Sequence, residues 1–193
     1  MKRQIALLFS LAFFCLLASC SQKSEYDLLV EKELASNVKQ DSLFLGIRFD
    51  MDRKEFFGHC WELNKQGVLT NGGTKLSVQY NLPTELKFPA TFNFYPTFGE
   101  DKIFEMPVDI MYNDFSPWVE EMKSEQLLED VRGMLEDWYG GTKFIEVESK
   151  DGTKKLLVKV DGNRRIRLWK ESISSVRITY TDLLDLEKAK KSS

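Results

Sequence analysis

Twice along this 193-residue chain the apolar residues change from helical spacing to alternation. One segment cannot serve both periods. A helix brings every third or fourth residue to one face, and a strand every second. The chain is therefore expected to lay helices against half-buried strands, and to do so twice. In the first half, Tyr26, Leu29, Val30, Leu34 and Val38 recur at helical intervals between Glu25 and Lys39. Asp41-Ser42 interrupts them, and Leu43 to Phe49 is apolar with Gly46 inside it. Asp52 and Glu55 have capping-box spacing. Phe56, Cys60 and Leu63 then stack on one face, and Gly67 is placed to end that helix. Leu76, Val78 and Tyr80 alternate with polar residues, as do Phe92 and Phe94. Phe104, Met106, Val108, Ile110 and Tyr112 form a third alternating run. Pro96 and Pro107 each predict an edge or a bulge.

The second half repeats the order. Ser116-Pro117 predicts a cap with proline in the first helical position, opening a short helical piece with Trp118, Val119 and Met122. Ser124 predicts a second cap. Leu127, Leu128, Val131, Met134, Leu135 and Trp138 form one stripe that Gly140-Gly141 ends. Phe144 to Val147, Leu156 to Val160, Ile166 to Leu168 and Val176 to Tyr180 read as strands, with Asp161-Gly162 a strong hairpin signal. The expected class is α+β: two tandem units, each with helices packed on one face of an antiparallel sheet. The first would span 25–115 and the second 116–182, with a frayed Lys-rich tail over 183–193. One continuous sheet carrying both helix sets also fits the pattern.

The amino end reads as an address rather than as structure. Lys2 and Arg3 precede an apolar run from Ile5 to Ala18 that Ser10 alone breaks, with no acidic residue. Such a run is too short and one-sided for an ordinary spanning helix and predicts a signal peptide over 1–19. It ends in Leu17-Ala18-Ser19-Cys20, which resembles the lipobox of bacterial lipoproteins. The resemblance implies that Cys20 is lipidated and becomes the first residue, with 20–24 as the tether. Several acyl chains would hold the protein far more firmly than one, at about 0.8 kcal/mol per buried methylene. Ser21 follows, where an Asp would be the familiar inner-membrane retention signal of enteric bacteria. That leans the expected location to the outer membrane, on either its periplasmic or its surface side. With Cys15 removed and Cys20 lipidated, Cys60 is the one remaining thiol, so the core stands on packing without a disulfide.

Two further resemblances concern the fold. Leu45-Gly46-Ile47-Arg48-Phe49-Asp50-Met51-Asp52-Arg53-Lys54-Glu55-Phe56 is similar to the opening L-G-x-x-x-G-M-[ST]-x-x-[EQ]-[VF] of SmpA/OmlA (BamE-like) outer-membrane lipoproteins. Asp50 departs from the Gly of that pattern, and Asp52 from its Ser or Thr. The two-unit order is similar to the β-lactamase-inhibitor-protein-like fold, which doubles such a unit. The chain as a whole also resembles lipoproteins of gut Bacteroidetes. The SmpA/OmlA resemblance implies a non-catalytic binding role in the envelope, and its opening segment alone implies a scaffold for outer-membrane assembly; the Bacteroidetes resemblance implies no function.

Composition narrows the chemistry. A net charge of −3 argues against a dedicated nucleic-acid binder. A 12% aromatic content argues against a disordered chain. One His and three Cys leave little room for a zinc cluster, so no metal or cofactor is expected. His59 and Cys60 are neighbours on a helix, about 100° apart, and cannot meet as base and nucleophile. Gly72-Gly73 and Gly140-Gly141 lack the Lys-Ser/Thr of a phosphate loop. The acids of the helical segments read as solvated faces.

The last strands offer the candidate binding surface. If Ile166 and Leu168 face the helices, Arg165, Arg167 and Trp169 face away. The same alternation assigns Lys159, Leu157 and Arg177 to their side, and Tyr95 offers a matching group in the first unit. Arg and Trp together bring large contact area with directional charge. The expected function is a lipid-anchored envelope protein that binds another protein or a glycan through an exposed sheet face. The alternative is a glycan hydrolase using paired carboxylates.

Overall fold

The computed structural model describes residues 23–73, 77–149 and 151–186. The signal segment, Cys20, Leu76 and the end of the tail lie outside the described residues. The described chain is an α+β fold built on one large antiparallel sheet. Its helices are α1 (Glu25–Ala35), α2 (Arg53–Lys65) and α3 (Ser124–Tyr139), and 183–186, expected to begin a frayed tail, is helical instead because Leu183 is buried in the core. Its strands are β1 (Leu69–Asn71), β2 (Val78–Leu82), β3 (Ala90–Phe94), β4 (Thr97–Gly99), β5 (Lys102–Tyr112), β6 (Ile145–Glu148), β7 (Lys155–Asp161), β8 (Arg164–Lys170) and β9 (Ser175–Asp182). The strand order is β1-β2-β3-β5-β9-β8-β7-β6, with β4 paired to one end of β5. Strands from both halves of the chain thus meet in the centre, where β5 pairs β9 and Val108 lies opposite Ile178.

Helix ends follow local chemistry. The Asp52 carboxylate accepts from the Glu55 amide at 2.8 Å, and the Glu55 carboxylate accepts from the Asp52 amide at 3.0 Å. Each thereby satisfies a backbone donor that the first turn leaves open. Ser24 and Asp27 do the same for α1. That helix ends at Ala35 rather than running on to Lys39, because Asn37 turns left-handed at φ 54°. Asp50, which stands where the resembled pattern has glycine, is also left-handed at φ 65°; a short polar side chain tolerates that geometry.

Two expected caps take other forms. Pro117 and Trp118 lie in a turn, followed only by a 3-10 segment at Glu120–Met122, and Trp118 is 90% exposed. Ser124 is the first residue of α3 and caps nothing. It is buried, and its amide donates to the Ile173 carbonyl at 2.9 Å, pinning the helix start to the β8–β9 loop. Pro107 sits in the central strand β5, not at an edge. It lies opposite the gap between β3 and β4, where Tyr95 and Pro96 interrupt the pairing, and a bulge follows at Thr97–Phe98.

The two faces of the sheet carry different cores. Phe92, Phe94, Val108, Ile110, Ile166, Leu168, Ile178 and Tyr180 join one cluster with Phe56 of α2 and Leu127, Val131 and Leu135 of α3. Val158 and Val160 of β7 point the other way. There they meet Tyr26, Leu29, Val30 and Leu34 of α1, with Leu183 and the β6 residues Ile145 and Val147. So α1 does not share a face with the other helices. Its apolar stripe matches the outward residues of β6 and β7, which would otherwise be left in water. Beyond α1, that second face is open.

Candidate functional site

The expected sheet-face residues separate. Arg165 pairs with Thr181, Arg167 with Thr179, and Trp169 with Arg177, so these four share the open face as the alternation predicts. Lys159 does not join them. The β7–β8 hairpin has a two-residue loop, Gly162-Asn163, which sets Asp161 against Arg164 and Lys159 against Ile166. Lys159 and Leu157 therefore face the helices. Tyr95 is not there either. It lies past the end of β3, with its ring 6.4 Å from those of Phe56 and Phe57 on α2.

The open face carries its own counter-ions. Arg177 is 2.5 Å from Asp109, and Arg167 is 3.7 Å from Glu105. Arg165 donates to the Tyr26 hydroxyl at 2.9 Å, and the Trp169 indole donates to Glu171 at 2.7 Å. Burial, then the neighbouring Arg165, pulls the pKa of Arg167 below its ordinary value.

On the helix side the same hairpin builds a buried polar hub. The Lys159 ammonium is wholly buried. It donates to the carbonyls of Gly140 and Thr142 and sits 2.8 Å from one Asp161 oxygen and 3.0 Å from the other. Asp161 also accepts from the Thr142 amide at 2.8 Å and from its hydroxyl at 3.1 Å. Arg164, 3% exposed, donates to the Ser42 carbonyl at 2.6 Å and stacks 4.1 Å over the Tyr139 ring. Asn163 accepts from the Gln40 amide at 2.6 Å. One tight turn thus holds both the segment entering from α1 and the loop leaving α3.

Above this hub lies a cleft of about 560 Å³, within the range of small-molecule sites. Trp138 and Tyr139 from the end of α3 form one wall, Tyr80 and Glu85 another, and Leu43 to Gly46 a third, with Arg164 and Gln40 also lining it. Each wall is fixed from behind. The Tyr139 hydroxyl donates to the Leu43 carbonyl at 2.5 Å, and Phe44 packs edge-on against Phe92 and Phe94. His59 donates from Nε2 to the Leu45 carbonyl at 2.7 Å, a structural task for the chain's single histidine. The Glu85 loop is tied to α3 where the Lys87 amide donates to Asp130 at 3.2 Å. Tyr80 donates to Glu85 at 3.1 Å; burial and then that carboxylate hold its pKa above the ordinary value. Burial likewise pushes Tyr139 up to about 12, so its hydroxyl stays protonated.

No family model, curated protein or solved structure matches this chain. The site therefore has to be read from its own atoms. Its aromatic walls offer stacking surfaces, and Trp138, 38% exposed, presents the widest of them. Glu85 is the one carboxylate among the lining residues, so the two-acid arrangement of a glycosidase has no second member there. Sequence reasoning missed this site. Its apolar spacing places Trp138 in the core stripe of α3, although its position just before Gly140-Gly141 sets it at the helix end. Nothing local marks Tyr80 or Glu85, and only their long-range meeting with α3 makes them walls.

Cys60 belongs to the core. It is buried, and burial alone pushes its thiol up to about 11. Ellman's reagent is expected to leave Cys60 unmodified in the folded protein and to titrate it fully in urea. Peptide mass mapping checks this, and labelling of Cys60 without denaturant would count against the packed position.

Proposed function

We propose that the protein is a non-catalytic binding module of the cell envelope, anchored through lipid on Cys20 and taking a glycan in the aromatic cleft. The supporting observation is the meeting of Trp138, Tyr80 and Tyr139 around a ligand-sized space whose walls are already held in place. Sugar rings present flat C–H faces to aromatic rings and hydroxyls to groups such as the Glu85 carboxylate and the Gln40 side-chain amide. The cleft offers both. The open sheet face is less suited to be the primary site, because Arg177, Arg167 and Trp169 already have partners within the protein.

The anchor rests on the lipobox at Cys20 and on the apolar run before it. Outer-membrane location rests on Ser21 alone. Two tandem units remain a proposal for the fold's history, supported by the strand order. From the central β5–β9 pair it runs outward through β3, β2 and β1 on one side and through β8, β7 and β6 on the other.

The experiment is a titration of the protein with oligosaccharides released from envelope preparations, followed by tryptophan fluorescence. Saturable change is expected. Trp138→Ala should weaken binding about tenfold or more, about 1.4 kcal/mol. Replacing Arg165, Arg167 and Trp169 together with alanine should leave affinity unchanged. No saturable signal, or an affinity that Trp138→Ala leaves unchanged, would remove the cleft from consideration.

A further inference from the structure

We infer that the arginine face of the sheet lies on the lipid headgroups, with the aromatic cleft turned away from the bilayer. This rests on the lipidation of Cys20 proposed above. Ser24 already caps α1, so the rigid part of the domain begins there. From Cys20 to Ser24 is four residues, a reach of at most about 14 Å. A chain anchored at Cys20 cannot stand off the membrane; the surface around the start of α1 must lie against it.

The register says which surface that is. Val160 pairs directly with Arg165, and Val158 with Arg167, so those four side chains share one face. Val158 and Val160 pack under α1, and Arg165 reaches the Tyr26 hydroxyl in the first turn of that helix. The tether therefore leaves from the arginine side. The cleft lies on the other side, because Tyr80 pairs with Phe92 and Arg164 with Asp182, and Phe92 belongs to the α3 cluster.

The chemistry of the face suits phosphate. Arg165, Arg167, Arg177 and Lys154 bring four cations to this row against three carboxylates, Glu105, Asp109 and Glu171, and the Arg165 guanidinium meets two neutral hydroxyls, those of Tyr26 and Thr181. Guanidinium forks bind phosphate oxygens in pairs, and Trp169 extends the same row with a ring suited to the interface. Anionic headgroups would supply the missing counter-charge along a face that the tether already holds within reach.

The test uses the native acylated protein in phosphatidylcholine vesicles containing phosphatidylglycerol and a dansyl-headgroup lipid. One single-tryptophan variant keeps Trp169 and a second keeps Trp138, the other tryptophans being phenylalanine. Energy transfer to the headgroups is expected to be several-fold greater from Trp169. Replacing Arg165, Arg167 and Arg177 with glutamine should shrink that difference, and replacing them with lysine should largely keep it. Equal transfer from both tryptophans, or more from Trp138, would overturn the orientation. The mass of the amino-terminal peptide reads acylation directly. An unmodified Cys20 overturns the anchor and the orientation together, whereas an acylated Cys20 with equal transfer overturns the orientation alone.

Discussion

Replacing Lys159 with alanine is expected to lower the unfolding free energy by about 3–5 kcal/mol, the range for breaking one side of a buried ion pair. The ammonium has no access to water and answers three groups at once: the Gly140 and Thr142 carbonyls and the Asp161 carboxylate. Without it the carbonyls lose their donor, and Asp161 keeps only Thr142 and the more distant Arg164, 3.6 Å away. Lys159→Met preserves most of the volume and separates charge from packing. It should lose nearly as much, because the uncompensated carboxylate dominates. Urea unfolding followed by circular dichroism gives both values. A loss below about 1 kcal/mol would mean that water or a local shift replaces the ammonium, which the packing around Gly141 argues against. A methyl added at Gly141 would lie 2.4 Å from an Asp161 oxygen.

Gly162→Ala is the second large effect, at about 2–4 kcal/mol from crowding and a strained left-handed residue together. Gly162 has φ 56°, and an added Cβ would sit 2.1 Å from the Val38 carbonyl oxygen. Its amide donates to Glu33 at 3.1 Å, so the turn and the segment after α1 are held in contact from both sides. Relief of the clash must move Val38 to Gln40, and that segment leads into the Ser42–Gly46 wall of the cleft. Loss of stability is therefore expected to come with weakened ligand binding. Gly152→Ala is the control. Gly152 is also left-handed, at φ 67°, but nothing lies within 4 Å of its added Cβ. It should lose about 1 kcal/mol and leave the cleft alone. Equal losses at the two glycines would show that the Val38 contact gives way easily.

The two hairpin residues mark the boundary of what was legible. Asp161-Gly162 announces a tight turn, and the turn is there. Its loop length also sets the register, since two loop residues place Lys159 opposite Ile166. Counting alternation within β7 and β8 separately, without closing the hairpin between them, puts Lys159 on the wrong face. Tyr95 fails for a different reason: alternation stops where β3 stops, and the ring follows the α2 aromatics instead. Trp118 has helical neighbours in the sequence, yet the segment from Ser116 is too short to repay helix nucleation before α3 begins.

The type of the longer elements, the start of α2 and the end of α3 were decided by the sequence alone, because they depend on residues within three or four positions. The Asp52–Glu55 cap, the α3 stripe and the alternating β5 are all of this kind. Tertiary structure decided which face each helix covers, that one sheet joins both halves through β5 and β9, and that Trp138 meets Tyr80. Those outcomes depend on pairings between residues far apart in the chain. Short-range propensity carries no information about such pairings, because their energy appears only once the strands have come together.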